Sequence, residues 1–248
     1  MSPNPNLPPT QKVASSSDPV DHVPVLLNEV IAALLSMESP AAFDQQGSRT
    51  LVDGTFGRGG HSRHLLQRLS DSDRLLAIDR DPDATSAANL IAAKDQRFTF
   101  TQARFSELGK VLAQRGIEHV DGILLDLGVS SPQLDRADRG FSFSADGPLD
   151  MRMNPAEGPS AADWLNTAQE SDIANVLWRF GEERQSRRIA RQIVAARPLA
   201  TTLELADLVA RVAAAPKRVL RKHPATKTFQ ASRMHINAET EELDQGLR

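Results

Sequence analysis

The stretch Thr50-Leu51-Val52-Asp53-Gly54-Thr55-Phe56-Gly57-Arg58-Gly59-Gly60-His61 decides the fold. Residues 50–52 are short, apolar and β-prone, and the glycines that follow let a ligand approach the backbone closely. A second apolar run, Leu75-Leu76-Ala77-Ile78, ends on Asp79, and a third, Gly122-Ile123-Leu124-Leu125, ends on Asp126. A carboxylate about 20 residues beyond a glycine loop, at the tip of the next parallel strand, is where nucleotide folds hold ribose hydroxyls. Ligands of such sheets bind beyond the carboxyl ends of the strands. A glycine loop alone also serves an ordinary strand–turn–helix connection. Together with the two later acids it predicts a nucleoside-cofactor site.

Glycine spacing narrows the cofactor. A dinucleotide fingerprint, G-x-G-x-x-G, would put its third glycine at position 62 after Gly57 and Gly59, but Ser62 stands there. No G-x-x-x-x-G-K-[ST] phosphate loop lies nearby. Asp53 at the mouth of the loop would repel a pyrophosphate and suits a cofactor with positive charge. S-adenosylmethionine carries a sulfonium, an ammonium and a ribose, and no phosphate.

The composition is that of a globular chain of 248 residues with 40% hydrophobic and 25% charged residues. With no cysteine, disulfides, thiolate catalysis and cysteine-ligated zinc are excluded, and the six histidines show no H-x-x-x-H spacing, so no metal is expected. No run approaches the ~18 apolar residues of a membrane span. Residues 1–20 are rich in proline and serine without an apolar signal core, which predicts a disordered tail and a cytoplasmic location. Net charge is only −3, yet residues 176–235 hold thirteen Lys or Arg against four Asp or Glu. Arg184, Arg187, Arg188 and Arg191 fall at helical spacing, and Lys217, Arg218, Arg221 and Lys222 form a second cluster. Such a run is either a solvated helix face or a phosphate-binding surface, and an excess this local favours the second.

Strand and helix patterns alternate from Asp21 onward. Val25, Leu26, Val30, Ile31, Leu34 and Leu35 mark an amphipathic helix, and further helices are expected over 64–69, 83–93 and 105–115. The strands are expected at 50–52, 75–79, 98–100 and 123–126, which implies crossover units and a parallel sheet. Residues 132–159 read as a long loop, after which only helical signals follow. Ser160 with Asp163 makes a capping box, Ser171 opens the stripe Ile173, Val176, Leu177 and Phe180 with Gly181 to stop it, and Thr202 caps Leu205, Leu208, Val209 and Val212. The division expected is an α/β domain over 21–135 and 223–248, interrupted by an all-helical subdomain over 136–222.

Several strings are long and unusual: Asp53-Gly-Thr-Phe-Gly-Arg-Gly-Gly-His-Ser62, Asp126-Leu-Gly-Val-Ser-Ser-Pro-Gln-Leu134 and Arg139-Gly-Phe-Ser-Phe143. Gly147-Pro-Leu-Asp-Met-Arg-Met153, Gly181-Glu-Glu-Arg184, Arg188-Ile-Ala-Arg191, His223-Pro-Ala-Thr226 and Thr228-Phe-Gln230 follow in order. In this set the chain resembles the bacterial 16S ribosomal RNA cytosine-N4 methyltransferase family (RsmH, also called MraW), from about His22 to the last residue. The resemblance implies a class I, Rossmann-like methyltransferase sheet with a helical insertion. It also implies S-adenosylmethionine as methyl donor and, as acceptor, a cytidine of 16S rRNA in the small ribosomal subunit. Carried over position by position, the cofactor contacts fall on Gly59, Gly60, His61, Asp79, Phe105, Asp126 and Gln133.

Residue chemistry agrees with these assignments. Loop amides reach a carboxylate, Asp79 accepts from both ribose hydroxyls, and Phe105 suits an adenine ring. Phe105 also fits a core position, His61 a helix-start cap, and Gln133 a loop residue serving the chain's own backbone. Asp126 is the candidate catalytic acceptor. After it stands Leu127-Gly128-Val129 rather than the D/N-P-P-Y/F of many amino-methyltransferases, so Phe141 or Phe143 becomes the candidate base-stacking ring. Arg187, Arg188 and Arg191 are the candidate RNA contacts. The family continues beyond residue 248 with further strands and a segment close to S-F-H-S-L-E-D, so the resemblance implies a sheet lacking its last strands, with strand four at its margin in the order three, two, one, four. A catalytically impaired RNA- and cofactor-binding fragment is the alternative this raises. A nicotinamide-dependent dehydrogenase is the remote one, opposed by the missing third glycine.

Overall fold

The computed structural model describes residues 24–36, 48–213 and 223–248. The expected tail over 1–20 and the cluster Lys217, Arg218, Arg221 and Lys222 lie outside the described residues. Four parallel strands form one sheet: β1 (Thr50–Asp53), β2 (Arg74–Asp79), β3 (Phe98–Gln102) and β4 (Gly122–Leu124), in the order β3-β2-β1-β4. The register sets Val52 beside Leu76 and Ile123, and Asp53 beside Ala77 and Leu124. Among the described residues the β4 strand pairs with β1 alone, at the margin as expected. It is shorter than expected, because Leu125 and Asp126 leave the ladder; the last bond there runs from the Gly54 N–H to the Leu124 carbonyl at 2.9 Å.

Side-chain alternation along the strands covers both faces. Leu51, Leu75 and Ala77 pack with α1 (Leu27–Ser36), α2 (Gly60–Leu66) and α3 (Ala84–Ala92). Val52, Leu76 and Ile78 pack on the other face with α4 (Leu108–Gln114). Helix α1 starts later than its apolar pattern suggests. Val25 and Leu26 precede it and are exposed, and Leu26 turns the chain with φ 52. Ile31 and Leu34 make the buried stripe.

The segment over 132–159, expected to be a loop, begins with α5 (Ser131–Asp135) and a 3-10 turn at Ala137–Arg139. A second core follows, built from α6 (Ala161–Thr167), α7 (Glu170–Gly181), α8 (Ser186–Ala195) and α9 (Thr202–Ala213). The Ser160 capping box forms as expected, with the Asp163 N–H donating to Ser160 Oγ at 3.1 Å and the Ser160 N–H to Asp163 Oδ2 at 2.9 Å. Thr201 rather than Thr202 caps α9, exchanging bonds with Glu204. Gly181 does not stop α7. Glu182, at φ 48, does, and Gly181 lies inside the helix, where a Cβ would stand 2.6 Å from the Lys227 carbonyl oxygen. That contact brings in α10 (Thr226–Ile236). Ala225, Phe229 and Ala231 are buried in this same helical core, past the boundary expected at 222. The closing helix α11 (Glu239–Gly246) turns back to the sheet, where Glu242 Oε1 accepts the Ser106 N–H at 3.0 Å.

Candidate active site

The carboxyl ends of β1, β2 and β4 converge on one rim, and the glycine loop leaves β1 there. Gly59 has φ 76, and a Cβ on it would lie 2.7 Å from the Phe56 ring, so only glycine closes this turn. The first helical bond of α2 runs from Arg63 N–H to the Gly59 carbonyl, which leaves the Gly60 and His61 amides ahead of the ladder. His61 is buried and its Nε2 donates to the Val25 carbonyl at 3.1 Å, so the ring anchors the N-terminal segment over the loop. Its Nδ1 faces Asp126 Oδ2 at 3.8 Å.

Three acids stand on the rim in different environments. Asp53 is 1% exposed and accepts from Ser62 Oγ at 2.6 Å and the Thr55 N–H at 3.2 Å. Burial pushes its carboxyl up to about 6, against the lowering effect of those two bonds. Ser62, which breaks the dinucleotide fingerprint, thus serves as the partner of Asp53. Asp79, at the tip of β2, is also raised by burial, opposed by the N–H groups of Asp81 at 2.8 Å and Gly57 at 2.7 Å. Each of its oxygens takes one amide and keeps a lone pair for a ligand. Asp126 is half-exposed, and its N–H donates to Thr55 Oγ1 at 2.7 Å.

Gln133 is placed beside these acids but engaged within the chain. Its Oε1 accepts the Ser130 N–H at 3.0 Å, and its Nε2 donates to Asp81 Oδ2 at 2.7 Å. Phe105 opens a 3-10 turn after β3 and is half-buried; a Cβ on Gly246 of α11 would stand 2.5 Å from its ring. Gly59, Gly60, His61, Asp79, Phe105, Asp126 and Gln133 are therefore gathered around the strand ends. Phe141 is not available as a stacking ring: it is 6% exposed within the helical core, under the Arg139 guanidinium at 5.8 Å. Phe143 is only partly buried, with its ring 4.7 Å from both His223 and Phe229. Arg187, Arg188 and Arg191 lie exposed on α8, where Arg188 bonds Gln185 and Arg191 pairs with Glu170, neither at the strand ends.

A layer behind these residues escaped the sequence reading. Arg139 Nη1 donates to Asp81 Oδ2 at 3.1 Å and Asp83 Oδ2 at 2.8 Å, while its Nη2 holds the Arg152 and Met153 carbonyls. Arg136 pairs with Asp83 at 2.6 Å. Arg80 donates to the Asn237 carbonyl at 2.7 Å, and Arg104 pairs with Glu157 at 2.5 Å. No local signal marks Arg136 and Arg139, because their partners Asp81 and Asp83 stand on a distant stretch of the chain.

The residues present fit S-adenosylmethionine: amides for its carboxylate, a buried anion against its cationic end, and a fixed carboxylate for its ribose. Among the described residues, no cluster of His, Cys, Asp and Glu is arranged to hold a metal ion, and no helix is long and apolar enough to cross a membrane. The parallel sheet order, with the glycine loop after β1 and an acid at the tip of β2, is that of a Rossmann-like methyltransferase. Residues 19–248 match the MraW methylase family. Similar proteins include the ribosomal RNA small subunit methyltransferase H of Alcanivorax borkumensis, 53% identical over 229 residues, covering 91% of this chain and 70% of that protein. Proteins of the same name from Xanthomonas euvesicatoria and Coxiella burnetii are each 52% identical, covering 94% and 91% of this chain and 66% and 71% of their own lengths. The chain spans about two thirds of the length of these relatives. It belongs to the MraW methylase family.

Proposed function

We propose that this protein transfers a methyl group from S-adenosylmethionine to the N4 amine of a cytidine in 16S rRNA, as free RNA or within the small subunit. The observation that carries the reading is the Gly57 N–H to Asp79 bond, which holds the acid at the tip of β2 against the glycine loop. Family membership and the names of the relatives support the acceptor.

The cofactor supplies an electrophilic methyl on a sulfonium, already an activated leaving group. Asp79 would accept from the ribose hydroxyls, and the Gly60 and His61 amides would receive the carboxylate of the methionine moiety. Phe105 would border the adenine, and Gln133 holds the neighbouring loop through Asp81. An exocyclic amine on cytosine is a poor nucleophile, because its lone pair is delocalised into the ring. Asp126, half-exposed at the end of β4, accepts a hydrogen bond from that amine and favours a more pyramidal nitrogen. Most of the rate then comes from positioning and electrostatics. The methylated ammonium is acidic and gives its proton to Asp126, a nearby carbonyl or water. Helices α6 to α9, with α10 sharing their core, carry the RNA surface through Arg187, Arg188 and Arg191. An unpaired cytidine leaves its stack at a cost of only a few kcal/mol.

The test is nucleoside mass spectrometry of 16S rRNA and of small subunits incubated with the protein and S-adenosylmethionine. N4-methylcytidine at one position is expected. No such product in either arm, with cofactor binding verified by titration, overturns the acceptor assignment; tighter binding of NAD than of S-adenosylmethionine overturns the cofactor.

A further inference from the structure

Helix α7 buries Ile173, Ala174, Leu177 and Gly181 and turns Trp178 outward, off that stripe. Trp178 is 61% exposed, the larger part of a big apolar ring left in water. An indole so placed is an amphipathic platform with no packing role to account for it. It borders an open depression of about 420 Å³, lined also by Arg179, Glu182, Arg184 and Lys227. Three cations against one anion therefore surround the ring.

The platform is rigid. The Glu182 and Glu183 N–H groups close on the Trp178 and Leu177 carbonyls at 3.0 and 3.1 Å. Lys227 Nζ donates to the Glu182 carbonyl at 2.9 Å from α10, and Gly181 keeps the two helices in backbone contact. Arg179 lies over the Phe180 ring at 5.2 Å, which orients its guanidinium. Beyond Arg184 the positive surface continues along α8 through Arg187 and Arg188.

We propose that this depression is a single-strand RNA subsite in which one unpaired base stacks on Trp178 while Arg184 and its neighbours hold the flanking phosphates. The proposal rests on the RNA reading above and adds a contact to it. Single-stranded nucleic acid is the partner this chemistry fits, because every base has a π-face for an aromatic ring and the backbone supplies the anions. A duplex hides its base faces and has no use for the indole.

The chain has two tryptophans, and Trp164 packs on His235 at 4.4 Å, so Trp164→Phe leaves Trp178 as the only indole reporter. In that background, fluorescence is followed while a short oligocytidylate, an abasic phosphodiester of equal length, a short RNA duplex and an oligoglutamate are added. Quenching by the oligocytidylate alone is expected. Trp178→Ala should weaken oligocytidylate binding about 5- to 150-fold, the ~1–3 kcal/mol of one base–aromatic stack, and leave abasic binding unchanged, while Trp178→Phe retains most of the affinity. Saturating oligocytidylate binding without quenching, or equal affinity of the alanine variant, overturns the subsite while the RNA reading stands. Quenching by oligoglutamate in place of RNA overturns it in favour of an acidic protein. No binding by any nucleic acid overturns both readings.

Discussion

Asp81 and Arg139, 58 residues apart, form an ion pair at 3.1 Å in which each side chain keeps only 7% of its surface exposed. Asp81 also gives its N–H to Asp79, so a cation at the start of the helical subdomain steadies the acid read as the ribose contact. Removing one partner of a buried pair leaves an uncompensated charge, at ~3–5 kcal/mol. Arg139→Met should therefore lower stability by that amount in urea unfolding, and Asp81→Asn combined with Arg139→Met should recover part of it. A variant as stable as the parent would show that the pair contributes little.

Asp79→Ala should lose S-adenosylmethionine affinity by ~1.5–3 kcal/mol, the scale of hydrogen bonds to a charged group. The Gly57 amide loses its acceptor as well, so protection of that N–H from hydrogen exchange should fall in the same variant. Unchanged affinity by titration would remove the ribose role.

Asp53 titrates at about 6 in the folded chain and at 3.8 unfolded. The folded state holds this proton more tightly, so the contribution to stability is whole below pH 3.8 and is lost as pH rises through about 6. Roughly two pH units amount to about 3 kcal/mol. Asp53→Asn should thus gain stability at neutral pH relative to the parent and little in acid. A cationic ligand favours the ionised form, so S-adenosylmethionine affinity should climb with pH through about 6, more than that of S-adenosylhomocysteine. Identical pH profiles for the two ligands would place the sulfonium away from Asp53.

Asp73 behaves in the opposite sense. Burial opposes its ionisation, but the Arg49 N–H and guanidinium and the Ser70 N–H outweigh it and hold the carboxyl down at about 2. That stabilisation is present above 3.8 and is lost as pH falls through about 2. Asp73→Asn should cost about 2 kcal/mol at neutral pH and shrink the acid-unfolding slope. An unchanged acid profile would contradict the assignment.

Reversal of Arg187, Arg188 and Arg191 to Glu should weaken RNA binding and flatten its salt dependence, since each phosphate contact releases counterions. Cofactor affinity should hold. Equal loss of both would mean that the helical core, not the surface, had been damaged.

The strand positions and the glycine loop were legible because β-prone apolar runs and turn glycines act locally, whereas the strand order came only through the family resemblance. Asp79 was legible for the same reason, standing at a strand end whose neighbours announce it. Arg139 was not, since its partners Asp81 and Asp83 lie more than a domain element away and nothing local distinguishes it from a surface arginine. Phe141 was misjudged on similar grounds: an aromatic in a Gly- and Ser-rich segment reads as exposed, and only the return of the helices over it makes it core. Gly181 looked like a helix stop because glycine usually is one. The close approach of Lys227 explains its presence, and Glu182 takes the left-handed position instead.

Because Ala225, Phe229 and Ala231 complete the helical core, and Glu242 a few residues on ties back to Ser106, the last described stretch is a seam stitched through both halves. On a translating ribosome, helices α6 to α9 emerge with their central groove open, and close it only when this stretch follows. Synthesis order thus makes helices α6 to α9 wait for a stretch that follows them. Both halves should then melt in one cooperative step, since neither keeps its interior once the seam is drawn out.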